Sequence, residues 1–192
     1  MSSNDCYQLN QPYHIYNRGS RRQRIFFEEE NYDHLTKLLS NGKANYQVRI
    51  LAYALMPNHY HLLISQGAPG AITGFLRTVF QRYVQAIVRQ RDHSGRLFQG
   101  PPKRAPVHAD YHALHLCRYI HVNPVEAQLV DMPQQWEYSN YREFVHLRRS
   151  ILWDPHFVHT YFRTPESYRE FVLSARRQNN PHRAIKRYLI DE

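Results

Sequence analysis

The chain of 192 residues carries 25 Lys and Arg against 16 Asp and Glu, a formal charge of +9 before its 13 His are counted. With 42% hydrophobic residues it is too apolar for general disorder, and no apolar run reaches the roughly 18 residues of a membrane-spanning helix. These values predict a soluble globular protein, one domain with an appended segment, and two cysteines, Cys6 and Cys117, exclude a disulfide framework.

Residues 13–17 are β-prone and run into a turn at 18–20, where Arg18, Arg21, Arg22 and Arg24 begin a cationic stretch. Residues 28–45 place Leu35, Leu38 and Leu39 at helical spacing behind an acidic first turn, Glu28-Glu29-Glu30, which suits a helix N-terminus. Two β-prone runs, 47–56 and 59–65, flank Pro57-Asn58 and predict a hairpin. Residues 67–74 read as a loop. Phe75, Val79, Tyr83, Ile87 and Val88 predict a second helix that frays near 93–95. The stretch 97–107 contains Gly100-Pro101-Pro102 and allows only a short or edge strand.

Asp110 reads as the N-cap of a third helix ending near His121. Further on, 141–149, 165–177 and 181–190 are candidate helices; the last two hold Arg176, Arg177, Arg183, Lys186 and Arg187. The element order predicts a ferredoxin-like antiparallel α+β sheet, residues 1–145, followed by a basic helical extension, 146–192.

Two constellations carry chemistry. Side chains alternate along a strand, so His59, His61 and Leu63 share one face and Tyr60, Leu62 and Ile64 the other. The two imidazoles can therefore aim at one cation, or can be ordinary hydrogen-bonded sheet histidines. On the third helix His112, His115, Tyr119 and Asn123 form one stripe, while Ala113, Leu116, Cys117 and Ile120 form the core-facing arc. His121 lies nearer that arc and reads as structural.

Positive charge and 14% aromatic residues suit a phosphate-rich partner with unpaired bases. Arg18, Arg21, Arg22 and Arg24, with Lys103 and Arg104, are the candidate phosphate contacts. The start Met1-Ser2-Ser3-Asn4-Asp5 lacks a secretory pattern, which with the cysteine count predicts a cytoplasmic setting.

Four blocks in order resemble the single-tyrosine HUH transposases. They are Tyr13-His14-Ile15-Tyr16-Asn17-Arg18-Gly19, Ala54-Leu55-Met56-Pro57-Asn58-His59-Tyr60-His61-Leu62-Leu63-Ile64, Leu97-Phe98-Gln99-Gly100 and Arg118-Tyr119-Ile120-His121-Val122-Asn123-Pro124-Val125-Glu126-Ala127. The branch most similar is that associated with repetitive extragenic palindromes, related to the insertion-sequence 200 and 605 transposases, and the likeness spans residues 12–141. It implies that His59 and His61 bind a divalent metal, Mg²⁺ or Mn²⁺, with Asn123 as third ligand, and that Tyr119 is the nucleophile. The implied reaction is cleavage and transfer of single-stranded DNA beside palindromic hairpins through a 5′-phosphotyrosine.

Because Asn123 precedes Pro124, its backbone is expected to be leaving the helix. His112 or His115 could tune Tyr119. This chain departs from the family at Pro101-Pro102, where an arginine and an aromatic are common, at Tyr60, usually aliphatic, and at Gln128, often glycine. Two other readings use the same residues: a hairpin-binding regulator without catalysis, and a structural zinc protein built on His59, His61 and helix histidines. Monomer and homodimer are both compatible with the sequence.

Overall fold

The computed structural model describes residues 7–91, 95–149, 152–174, 185, 186 and 189. Strand β1 (Tyr13–Arg18) leads to helix α1 (Glu29–Tyr46), the hairpin β2 (Val48–Met56) and β3 (His59–Gln66), helix α2 (Ala71–Arg91), strand β4 (Lys103–Pro106) and helix α3 (Asp110–Glu126). The sheet order is β2-β3-β1-β4 with every neighbour antiparallel, the ferredoxin-like arrangement that the element order predicts. Short helices α4 (Tyr141–Phe144) and α5 (Pro155–His159) precede α6 (Pro165–Leu173).

Alternation along the strands divides the interior into two cores. Ile15, Tyr53, Leu55, Tyr60, Leu62 and Ile64 pack with α1 and α2 residues such as Leu35, Phe75 and Tyr83. On the opposite face Leu51, Ala52, Ala54, Met56 and Leu63 pack with Leu116, Cys117 and Ile120 of α3. Each fully buried Leu or Ile contributes about 1.5–3 kcal/mol. Tyr60, unusual for the family, is absorbed by stacking on Phe80, with ring centroids 4.4 Å apart.

Several boundaries differ from the sequence reading. Helix α2 begins at Ala71, so Gly74 lies inside it rather than in a loop. An added Cβ at Gly74 would sit 2.6 Å from the Tyr46 ring, and one at Gly42 would sit 2.8 Å from Val79 Cγ2, so glycines permit the close α1–α2 approach. Glycine here serves packing and not a turn. The N-cap of α3 is Ala109, and Asp110 is its first helical residue, where its carboxylate accepts from Tyr161 Oη. Helix α3 continues through Pro124 to Glu126. A proline deletes one helical hydrogen bond without ending a helix that tertiary packing holds, and Asn123 stays helical, its carbonyl accepting from Ala127 N at 2.9 Å.

Gln128 adopts φ 57, the left-handed conformation that glycine takes readily. Residues 141–149 contain only the four-residue α4, and α5 lies outside the candidate helices of the sequence. Of 181–190, only Ile185, Lys186 and Leu189 are described; Arg176, Arg177, Arg183 and Arg187 lie outside the described residues. Trp153, Val158, Tyr168, Val172 and Ile185 share one apolar core with Phe144, Val145 and α3. The segment beyond 145 thus backs α3 within that core.

Candidate functional site

The site lies on the α3 face of the sheet. Antiparallel register sets Tyr16 opposite His61 and Arg18 opposite His59, so His14, Tyr16, His59 and His61 project from adjacent strands toward α3. From α3, Tyr119 meets His61 edge to face, centroids 5.4 Å apart at 79°. Asn123, one turn further, places its Oδ1 3.2 Å from His59 Nε2. The rings of His59 and His61 are nearly perpendicular, 5.0 Å apart. The fold thus gathers His59, His61, Tyr119 and Asn123 from two elements, as the strand and helix periodicities predict.

Electrostatics keep both imidazoles neutral. Burial pushes His59 down to about 4 against the hydrogen bond to Asn123, and the Arg18 charge adds to the fall. His61 is held well below the ordinary histidine value by burial, with His14, His59 and Arg18 contributing. A neutral imidazole is the form that ligates a metal.

Second contacts orient the two rings. His61 Nδ1 and His14 Nε2 form a hydrogen bond of 3.0 Å, and His59 Nδ1 lies 2.6 Å from Asn58 Oδ1. That leaves His61 Nε2 buried without a hydrogen-bond partner among the described residues. A buried orphan nitrogen is costly unless something binds it. The set fits a cation: two neutral imidazoles, an amide oxygen, and ring nitrogens held from behind by other groups.

Among the described residues no three His, Cys, Asp or Glu side chains are grouped to hold a metal, so the third donor available here is the Asn123 oxygen. The helix histidines do not join the pair. His115 Nδ1 is hydrogen-bonded to the Arg118 guanidinium at 2.9 Å and its ring packs against Phe171, while His112 packs against Tyr111. His115 is therefore committed to the α3–α6 contact and not to tuning Tyr119. His121 is structural as expected, bridging Tyr168 Oη at 2.7 Å and Asn140 Oδ1 at 2.9 Å.

The cationic residues divide. Arg18 is half-buried at the end of β1, close enough to depress both site histidines. Arg21, Arg22 and Arg24 are exposed in the following turn. Lys103 pairs with Tyr16 and lies 6.0 Å over its ring, on the site face. Arg104 pairs with Ile15 and lies over Tyr7, on the opposite face. Adjacent strand positions cannot serve one surface.

Residues 7–121, more than half of the chain, match the family described as IS200-like transposases. The chain belongs to the IS200-like transposase family. No curated protein matches the sequence. Among solved structures, a REP-associated tyrosine transposase bound to a REP hairpin aligns with a TM-score of 0.63 at 15% identity, covering 80% of this chain and 97% of that one. A transposase-like protein from Deinococcus radiodurans R1 aligns at a TM-score of 0.43 and 18% identity, covering 59% of this chain and 91% of that one.

Sequence reasoning missed His14 and Asn58, which adjoin this cluster. Both lie inside the quoted family blocks, yet neither belongs to the strand pair or the helix stripe that periodicity defines, although the His14 ring meets Tyr119 edge to face at 6.4 Å. Their roles depend on which ring nitrogen faces which neighbour, and His14 reaches His61 only across the β1–β3 register.

Proposed function

We propose that this transposase is a metal-dependent nuclease and strand transferase acting on single-stranded DNA beside palindromic hairpins. Tyr119 is its nucleophile, His59, His61 and Asn123 hold the metal, and residues 1–145 form the catalytic domain. The observation that carries this reading is the convergence of Tyr119, both imidazoles and Asn123 at one place on the sheet. A hairpin partner is supported by the fold shared with a hairpin-bound relative.

Tyr119 Oη attacks phosphorus and loses its proton to a base or water, and the departing 3′ oxygen takes up a proton. One phosphoester bond forms as another breaks, leaving a 5′-phosphotyrosine and a free 3′-hydroxyl that can later reverse the step. A bound Mg²⁺ or Mn²⁺ supplies Lewis-acid withdrawal of negative charge from the phosphodiester. His61 and Asn123 flank the phenol and fix the position of the reacting group relative to it.

Only 5% of Tyr119 and 6% of His61 is exposed, so the site must open for a DNA strand to reach the phenol oxygen. Arg18 and Lys103 border the site on its own face and contact the phosphates nearest the cleaved bond. Arg21, Arg22 and Arg24 hold the flanking DNA, and Arg104 contacts a strand passing the other face of β4.

Incubation with end-labelled hairpin DNA carrying a single-stranded flank, in Mg²⁺ or Mn²⁺, tests the reading. Nicking is expected to stop on chelation and in His59→Ala/His61→Ala; unchanged nicking in chelator would remove the metal from the proposal. Hairpin binding without any covalent product in either ion would favour the regulator instead.

A further inference from the structure

Asn58 occupies the two-residue turn of the β2–β3 hairpin, around which the arginine turn 19–26 is wrapped. Gly19 N donates to Asn58 O at 2.8 Å, and Ile25 N and Phe26 N donate to Pro57 O at 2.8 and 3.2 Å. Inside this wrap Arg21 and Arg22 take left-handed conformations, φ 54 and 61, that arginine seldom adopts. Such conformations persist where surrounding contacts dictate them. The Asn58 side chain supplies one of those contacts, its Nδ2 donating to Arg22 O at 3.3 Å.

That bond fixes the orientation of the carboxamide. The Arg22 carbonyl can only accept, so it must face Nδ2, which turns Oδ1 toward His59 Nδ1 at 2.6 Å. Oδ1 also can only accept, so Nδ1 must carry the imidazole proton. The lone pair of neutral His59 then sits on Nε2, facing Asn123 at 3.2 Å. Two lone pairs meeting there suit a cation, and a half-turn of the Asn123 carboxamide satisfies the nitrogen when none is bound.

We infer that Asn58 is a positioning residue: it holds His59 in the Nδ1–H tautomer, with Nε2 presented for metal, and ties that ring to the backbone of the arginine turn. The same carboxamide thereby serves a metal ligand and a DNA-contacting turn, so DNA at Arg21 and Arg22 and metal at His59 influence one another reciprocally. The metal half of this inference rests on the proposed role of His59 and the DNA half on the proposed phosphate contacts of Arg21 and Arg22, whereas the tautomer rests on neither.

The test uses the full chain. The tautomer of His59 is read from its side-chain ¹⁵N shifts without metal, Mn²⁺ affinity is read by calorimetry, and hairpin-DNA affinity is measured in chelator. Wild type is expected to show Nδ1–H at His59. Asn58→Ala should move the proton to Nε2, weaken Mn²⁺ binding about 10–100-fold and weaken hairpin binding. Asn58→Asp still accepts from Nδ1–H but cannot donate to Arg22, so it should keep the tautomer and Mn²⁺ affinity near wild type while weakening hairpin binding.

An unchanged tautomer in Asn58→Ala, or unchanged hairpin binding in both variants, would overturn the inference. If wild type binds no Mn²⁺, the metal reading of His59 fails, and the tautomer comparison still decides the role of Asn58.

Discussion

Replacing His121 by Gln should flatten the acid sensitivity of this fold. His121 is fully buried between Tyr168 and Asn140, and burial pushes its pKa from the ordinary 6.5 to about 4, against the Asn140 hydrogen bond. Between those values the unfolded chain binds a proton that the native state refuses, so stability is complete above pH 6.5 and falls as pH drops toward 4. At about 1.4 kcal/mol per tenfold in proton affinity, the full loss is about 3 kcal/mol, of which about 2 kcal/mol has gone by pH 5.

Gln keeps an amide for both partners and does not titrate. Urea unfolding at pH 7 and pH 5, followed by tryptophan fluorescence, should show His121→Gln losing about 2 kcal/mol less than wild type over that interval. The variant keeps part of the wild-type slope because His59 and His61 are depressed in the same direction. Equal slopes in the two proteins would refute a neutral His121.

Three other substitutions test separate parts of the molecule. Gly42→Ala gains about 1 kcal/mol of helix propensity but sets a Cβ 2.8 Å from Val79 Cγ2 and 2.9 Å from the Phe75 ring; a net loss of about 1–3 kcal/mol is expected, and a raised melting temperature would contradict it. Glu143, with 1% of its side chain exposed, is held by Arg148 at 2.9 and 3.0 Å. Arg148→Met should therefore cost about 3 kcal/mol, and adding Glu143→Gln should recover most of it; equal stability of the single and double variants would exclude an uncompensated charge. Arg21→Gln with Arg22→Gln should weaken hairpin binding and make its dependence on log salt shallower by about 2, and an unaltered slope would remove both arginines from the phosphate contacts.

Local periodicity made the centre of the site legible. His59 and His61 share a face because they are two residues apart in a strand, and Tyr119 and Asn123 because they are four apart in a helix. What escaped was set by contacts between elements. The β1–β3 register brings His14 to His61, the hairpin wrap brings Arg22 to Asn58, and α6 draws His115 away from Tyr119.

Gly74 and Pro124 misled for a shared reason. Both residues weaken a helix locally, and both stand where packing overrides propensity, Gly74 against Tyr46 and Pro124 within the buried half of α3. The separation of Lys103 from Arg104 follows from strand alternation, once β4 is known to include both residues.

The central claim is that Tyr119 forms the bond to DNA. Trypsin cleaves after Arg118 and next after Arg142, so the peptide 119–142 begins with the proposed nucleophile. After reaction with hairpin DNA in Mn²⁺, nuclease trimming and digestion, mass spectrometry should find this peptide carrying a 5′-linked nucleotide, with fragmentation placing it on Tyr119, and Tyr119→Phe should yield no adduct. A nucleotide on Tyr138, Tyr141 or another peptide, or an adduct that survives Tyr119→Phe, would contradict the assignment.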